Sequence, residues 1–393
     1  MSRSSWICIQ LGAREHYAIP RALHSADLLH LLLTDCWIKP FPILNNLSLT
    51  RRLSDRFHFD LHQAPLKTST ISSIFQELYF RFDRSRDPWT TIISRNQSFM
   101  KWSSNILRRL PDSDHTIFSY SYTALSALQI SHRRGWPFVL GQIDPGYFEE
   151  QIVSEEHRLF PQYDTNWRPA PDSYWQSWFD ELSLANHIVV NSQWSYNALI
   201  SQGVPKNKLR IIPLTFTATK PDTHSLRPQR QSRRTFNLLF LGTICLRKGI
   251  ARLLVAMEYL QRHPIHLTLA GPTEVDPICW SHLNNVRWVG SVPRSQVAHY
   301  YREADAMILP TLSDGFALTQ LESIAFGCPV ITSMNCGNVV SDGYNGWILP
   351  SLDPKVISET ILHALDTIDS LSMSSERPLF TLHQLAESML EIT

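Results

Sequence analysis

Ala306-Met307-Ile308-Leu309-Pro310, followed by Ser313-Asp314-Gly315-Phe316-Ala317-Leu318-Thr319-Gln320-Leu321-Glu322 and by Gly327-Cys328-Pro329-Val330-Ile331-Thr332, is the stretch that decides the fold. Its first apolar run predicts a short strand buried on both faces. Leu318 to Phe326 predicts a helix, Gly327 its left-handed cap, and Val330 to Thr332 the next strand. This is one βαβ unit. In such units ligands lie beyond the carboxyl ends of the strands, where backbone N–H groups at a helix start hold phosphate oxygens. Asp314 falls in the loop and Glu322 about a turn and a half into the helix, so two acceptors can grip hydroxyls at opposite ends of one ligand. The same pattern also describes an ordinary strand, turn and helix, with Asp as N-cap and Glu on a solvated face.

Outward from this unit the alternation of strand and helix repeats. Buried strands are predicted at Phe236 to Leu241, Ile265 to Ala270 and Val286 to Val289 on its amino-terminal side. A further set falls at Trp6 to Ile9, Leu28 to Leu33, Thr116 to Ser119, Phe138 to Leu140 and Ile188 to Val190. Between the sets, Lys220 to Arg234 is rich in Pro, Ser and Arg and reads as a linker. The 393 residues suit two domains of about 200 residues each. The expected division is residues 1–215, a linker at 216–235, a second domain at 236–370 and a helix at 371–393 open to crossing back to the first domain. Two Rossmann-like parallel-sheet domains would face a central cleft, a common place for a ligand.

Residues 36–112 break the rhythm. They mix Trp37, Phe41, Phe57, Phe59, Phe75, Tyr79, Phe80, Phe82, Trp89, Phe99 and Trp102 with much of the positive charge, and read as a helical, aromatic insertion. Residues 1–110 carry 15 Lys and Arg against 8 Asp and Glu, although the whole chain has a net charge of only +1. Aromatics among cations suit an anionic membrane surface or a large acceptor; they equally suit the core of a helical subdomain. No recognised nucleic-acid-binding motif accompanies the charge, so nucleic acid is not an expected partner. Hydrophobic content of 43% and charged content of 18% describe a globular chain. The six cysteines show no C-x-x-C pair, which predicts free thiols in a reducing compartment. The start lacks a signal-peptide core, and no run approaches the ~18 apolar residues of a membrane span. A cytoplasmic protein, with peripheral membrane contact left open, is the expectation.

Gly242-Thr243-Ile244-Cys245-Leu246-Arg247-Lys248-Gly249 follows the first strand of the second half. An Arg-Lys pair at that turn brings cations into the cleft, where a diphosphate would be neutralised. It is not a P-loop, because the G-x-x-x-x-G-K-[ST] order is absent, and by itself it also reads as a solvated basic turn. Together with Leu269-Ala270-Gly271-Pro272, Val289-Gly290-Ser291-Val292, the run Pro310 to Ile331 and Asp342-Gly343-Tyr344-Asn345-Gly346, it resembles the retaining glycosyltransferases of family 4, across roughly residues 236–350.

That resemblance implies the GT-B fold and transfer of a sugar from a nucleoside diphosphate donor with its anomeric configuration kept. Glu322 matches the glutamate that grips the donor ribose. Asp314 stands where a glutamate usually binds the donor sugar, with a side chain one methylene shorter. Gly315, Phe316, Ala317 and Leu318 would line the diphosphate and sugar. Lys248 matches the diphosphate lysine, whereas the usual arginine after the strand glycine is Thr243; Arg247 would substitute. Gly271 and the backbone of Gly290 to Val292 would meet the donor and its base. The glutamate common before the last glycine-rich turn is Asn338.

The first half would supply the acceptor. Gly12-Ala13-Arg14-Glu15-His16 follows the first strand as the family's glycine loop does, and Arg14 or His16 would reach donor phosphate or acceptor; a lone loop histidine is also often structural. Where many relatives carry a histidine after the strand Phe138 to Leu140, this chain has Gln142-Ile143-Asp144-Pro145-Gly146. Asp144 is then the nearest polar candidate, and Glu149, Glu150, Glu155 and Glu156 read as an acidic helix start. No metal or other cofactor is expected; Asp112-Ser113-Asp114 spells D-x-D but precedes a strand and reads as a surface turn. Two rival classes share the fold: a nucleotide-sugar 2-epimerase, and a glycosyltransferase-like subunit that binds without turnover.

Overall fold

The structure, a computed structural model, describes residues 5–39, 56–82, 87–164, 166–216, 235–371 and 380–392. Most of the expected linker, residues 217–234, and Phe41 of the expected insertion lie outside these. The first half runs β1 (Ser5–Gln10), α1 (Ala18–Ser25), β2 (Leu29–Thr34), β3 (Leu66–Thr68), α2 (Thr70–Phe82), α3 (Pro88–Leu107), β4 (His115–Tyr120) and α4 (Leu125–Arg134). It continues with β5 (Phe138–Gln142), α5 (Tyr147–Leu159), α6 (Asp172–Leu184), β6 (His187–Val190), α7 (Gln193–Ser201) and β7 (Leu209–Ile211). The second half holds β8 (Phe236–Leu241), α8 (Ile250–Tyr259), β9 (Ile265–Ala270), β10 (Val286–Trp288), α9 (Arg294–Glu303) and β11 (Ala306–Leu309). It closes with α10 (Thr319–Ala325), β12 (Val330–Thr332), β13 (Gly346–Ile348), α11 (Pro354–Thr367) and α12 (Leu382–Leu390).

Both sheets are parallel, in the orders β3-β2-β1-β4-β5-β6-β7 and β10-β9-β8-β11-β12-β13. Parallel sheets are covered on both faces, and the residues obey this: Trp6, Ile7, Cys8 and Ile9 have no exposed surface. Their side chains alternate between two cores, Ile7 and Ile9 packing with α4 and α6, Trp6 and Cys8 with α1. In the second sheet Phe236, Leu238 and Phe240 join α8 and α11, while Leu239 faces α9. The chain's last described helix, α12, packs against α1, burying Leu385, Ala386 and Met389 in the first half's core.

Strand order reverses between β1 and β4 in one sheet and between β8 and β11 in the other, so the crevices for ligands open at the loops after these strands. Residues 36–112 contribute an edge strand, β3, to the sheet, which the sequence pattern did not show. Their aromatics divide. Phe99 of α3 is buried with Leu107 and α4, whereas Ile71, Phe75 and Tyr79 of α2, at i, i+4 and i+8, stay 74%, 69% and 56% exposed. Among the described residues no helix is long and apolar enough to cross a membrane, and all six cysteines are free.

Candidate functional site

The deciding stretch folds into β11, a loop, α10 and β12, with Met307, Ile308 and Leu309 paired to Val330, Ile331 and Thr332. Gly327 sits at φ 76° just past α10, where its N–H donates to the Ile324 carbonyl and that of Cys328 to the Ser323 carbonyl, the cap a left-handed residue allows. After β8, Leu246–Lys248 makes a single 3-10 turn closed by Gly249 at φ 75°. Any Cβ on Gly249 would lie 1.9 Å from the Pro310 carbonyl oxygen, so the two ligand-side loops approach as closely as backbones can.

This approach brings Arg247 and Lys248 onto Asp314. Lys248 Nζ donates to Asp314 Oδ2 at 2.5 Å, Arg247 Nη1 lies 3.4 Å from the same oxygen, and Arg247 also donates to the Ser313 carbonyl at 2.9 Å. Burial alone would raise the Asp314 carboxyl, but Lys248 and then Arg247 outweigh it and hold it well below the usual carboxylate range. Asp314 Oδ1 accepts from the N–H groups of Phe316 and Ala317, so those donors serve the loop itself in this arrangement. Ala317 takes φ 63°, a strained conformation for a residue with a side chain. Glu322 lies in the first turn of α10 and accepts from Tyr301 at 3.2 Å; burial pushes its carboxyl up, opposed by Tyr301 and by the charge of Arg294. Leu318 caps α10, half-buried. Gly271, at φ 148°, touches the backbone of Gly242 beside half-buried Thr243, and Val292 packs beside Leu239 and Ala270.

The first half closes the site from the other side. Gly12 donates its N–H to Asp35, which Arg56 holds at 2.6 Å. Glu15, His16 and Tyr17 follow with φ of 50°, 52° and 59°, three left-handed residues in a row. Such strain, ~1 kcal/mol or more per residue, marks a loop held by its surroundings. Burial pushes the Glu15 carboxyl up to about 7, against Tyr120 and the neighbouring Arg14 guanidinium. Arg294 donates to His16 Nδ1 at 2.9 Å across the cleft, and burial followed by that cation lowers His16 to about 4, so it is neutral at pH 7. Asp144 Oδ1 accepts from Tyr122, Gln142 and the Gly146 N–H at 2.6, 2.9 and 2.9 Å.

Several members of the site gave no local signal. Glu149, in the first turn of α5, accepts from Ser313 Oγ at 2.8 Å and lies 3.6 Å from Arg247 Nε. Burial pushes its carboxyl up to about 7, with Arg247 opposing. Trp194 of α7 donates to Ser313, and Glu156 receives a two-pronged ion pair from Arg252 of α8. The acidic helix start therefore ties one half to the other. Glu181 of α6 accepts from the N–H groups of Tyr122, Ala124 and Leu125, capping α4 beside the cleft. Among the described residues no group of three or more His, Cys, Asp or Glu side chains is arranged to hold a metal ion.

Two facing parallel sheets, each with its switch point turned toward the other and with cations and carboxylates gathered on the loops between them, define the GT-B class of α/β fold. Residues 224–375 match the family model of the glycosyl transferases group 1. The chain is 22% identical to the amylovoran biosynthesis glycosyltransferase AmsK of Erwinia amylovora over 202 residues, 47% of this chain and 49% of that protein. It spans about half the length of that relative. Among solved structures, HepE of Anabaena in complex with UDP and glucose superposes with a TM-score of 0.57 at 17% identity, over 99% of this chain and 95% of that one. The sucrose-phosphate synthase of Thermosynechococcus elongatus does so with a TM-score of 0.63 at 17% identity, over 98% and 94%.

Proposed function

We propose that the protein is a retaining glycosyltransferase of the family 4 type, moving a hexose from a nucleoside diphosphate donor to a glycan or lipid-linked acceptor in polysaccharide biosynthesis. The observation that carries this reading is the meeting of Arg247 and Lys248 with Asp314 at the β8/β11 switch point, with Glu322 on the first turn of the helix that follows, inside the segment that matches the family model. Glu322 anchors the ribose, the cation pair receives the diphosphate beside Asp314, and Gly271 and Val292 border the base. HepE holds UDP and glucose, so UDP is the nucleotide to test first.

In the reaction the bond from the anomeric carbon to the diphosphate oxygen breaks and the acceptor oxygen bonds to the same face. The leaving phosphate takes the acceptor's proton, and Arg247 and Lys248 offset the charge that develops on it. This assigns the work of charge neutralisation to side chains, and activity that survives a chelator supports it. We place the enzyme in the cytoplasm, with the exposed Ile71, Phe75 and Tyr79 ridge of the basic amino-terminal third meeting an anionic membrane face. Thermal stabilisation by UDP-, GDP- and ADP-sugars tests the donor reading: a specific donor raises the melting temperature with concentration, and Glu322→Ala moves that rise to about 10–100-fold higher donor concentration. No stabilisation by any donor sinks the reading, and release of an epimerised sugar nucleotide would transfer it to the epimerase class.

A further inference from the structure

A cavity of about 220 Å³ lies on the first half's side of the cleft, lined among others by Trp89, Tyr122, Asp144, Trp167, Tyr174 and Trp175, with Arg247 at its border. Its aromatic rings come from separate segments and are each fixed. Trp89 of α3 donates to the Arg168 carbonyl at 3.0 Å, Trp175 to Glu150 at 2.8 Å, and Trp167 stacks on His157 with ring centres 4.2 Å apart. Tyr174 stacks on Tyr122, rings 5.2 Å apart and 9° from parallel. Trp89, Trp167 and Tyr174 are half-buried, leaving ring surface toward the cleft. Asp144 is held by three donors on Oδ1, which fixes the carboxylate while no donor among the described residues reaches Oδ2. Glu149 and Glu150 complete an acidic lining, and Arg247 is the cation that faces it.

From this cavity we infer that the acceptor is an uncharged pyranose end, seated on the aromatic rings with a hydroxyl donated to Asp144. The inference rests on the glycosyltransferase reading and gives it an acceptor class. Rigid aromatic faces cover the C–H face of a sugar ring at little entropic cost, and an oriented carboxylate takes its O–H. Arg247 links the cavity to Ser313 and Asp314, so a sugar there adjoins the donor loop. A phosphate on the acceptor would face the carboxylates of Asp144 and Glu150, a repulsion that disfavours anionic acceptors.

The test is saturation-transfer NMR on the full chain with a nucleoside diphosphate present, using methyl hexopyranosides and the same sugars bearing a 6-phosphate. Neutral glycosides receive saturation from the protein's aromatic protons, and the phosphates bind at least about tenfold more weakly. Trp89→Ala weakens the neutral sugar by about tenfold, the worth of one aromatic contact, while Tyr259→Ala at the far end of α8 changes nothing. If Trp89→Ala does not fold, Asp144→Asn serves instead and narrows the preference over the phosphate severalfold. Failure of every neutral glycoside to bind, equal binding of the phosphates, or unchanged affinity in the variants overturns the inference. Thermal shifts with the nucleotides alone separate the two readings: stabilisation without glycoside binding removes the acceptor class and leaves the donor site standing.

Discussion

The two halves share one strand order and one ligand-facing edge, yet their crevices carry charge in opposite ways. After β8 and β11, two cations meet a carboxylate that they hold ionised, Asp314. Around the first half's crevice, Glu15, Glu149 and Glu181 are buried beside weaker compensation and pushed up to about 7. Topology sets where a ligand can lie; the loops decide which charge it must bring. A polyanion suits the second half, and an uncharged, hydroxyl-rich group the first.

The sharpest way to break this contrast is to take a cation from the second half. Lys248→Ala is expected to lower kcat by about 10²–10³-fold, the worth of a group aimed at developing charge, with a smaller change in donor affinity. A variant that raises KM alone would make Lys248 a binding residue. Glu322→Ala comes next. Losing one charge-assisted hydrogen bond to a ribose hydroxyl should weaken donor binding by about 10–100-fold, read by calorimetric titration. Acceptor-side glycoside binding should not move, since the contrast assigns Glu322 to the second half only.

Gly315→Ala addresses the seam between the halves. Its Cβ would fall 1.8 Å from the Ile143 carbonyl oxygen, and neither backbone can yield without the loops separating. A loss of about 1–3 kcal/mol in chemical denaturation is expected, with lower turnover. Unchanged stability would show that the loops part freely.

The interior strands were legible because a strand covered on both faces must be apolar throughout, as in Trp6 to Ile9 and Phe236 to Leu241. The strands missed, Leu66–Thr68, Leu209–Ile211 and Gly346–Ile348, are three-residue edges whose sequences are mixed because one side is unpaired. The second half's site was legible for a local reason: Asp314, Gly315 and Glu322 fall within one βαβ unit. The first half's contribution depends on contacts between distant residues, such as Glu149 with Ser313 and His16 with Arg294. No spacing in the sequence announces such pairs. Glu149 and Glu156 look like any acidic helix start until the fold sets Arg247 and Arg252 against them.

Glu149 therefore gives the smallest but most discriminating test, because it belongs to the first half by chain and touches the second. Its carboxyl, ordinarily at 4.5, titrates at about 7 in the folded protein. The folded chain thus holds this proton more tightly than the unfolded chain, so the stability it contributes is complete below about pH 4.5 and is lost as pH rises through about 7. Glu15 and Glu181 act in the same window and with the same sign. Glu149→Gln keeps an acceptor for Ser313 and removes one of the three titrations. The fall in unfolding free energy between about pH 5 and about pH 8 should shrink by on the order of 1–2 kcal/mol in denaturant melts across that range. An unchanged slope would mean that Arg247 keeps Glu149 ionised throughout. The seam would then be a permanent ion pair of the second half's kind, and the contrast would stop at Glu15 and Glu181.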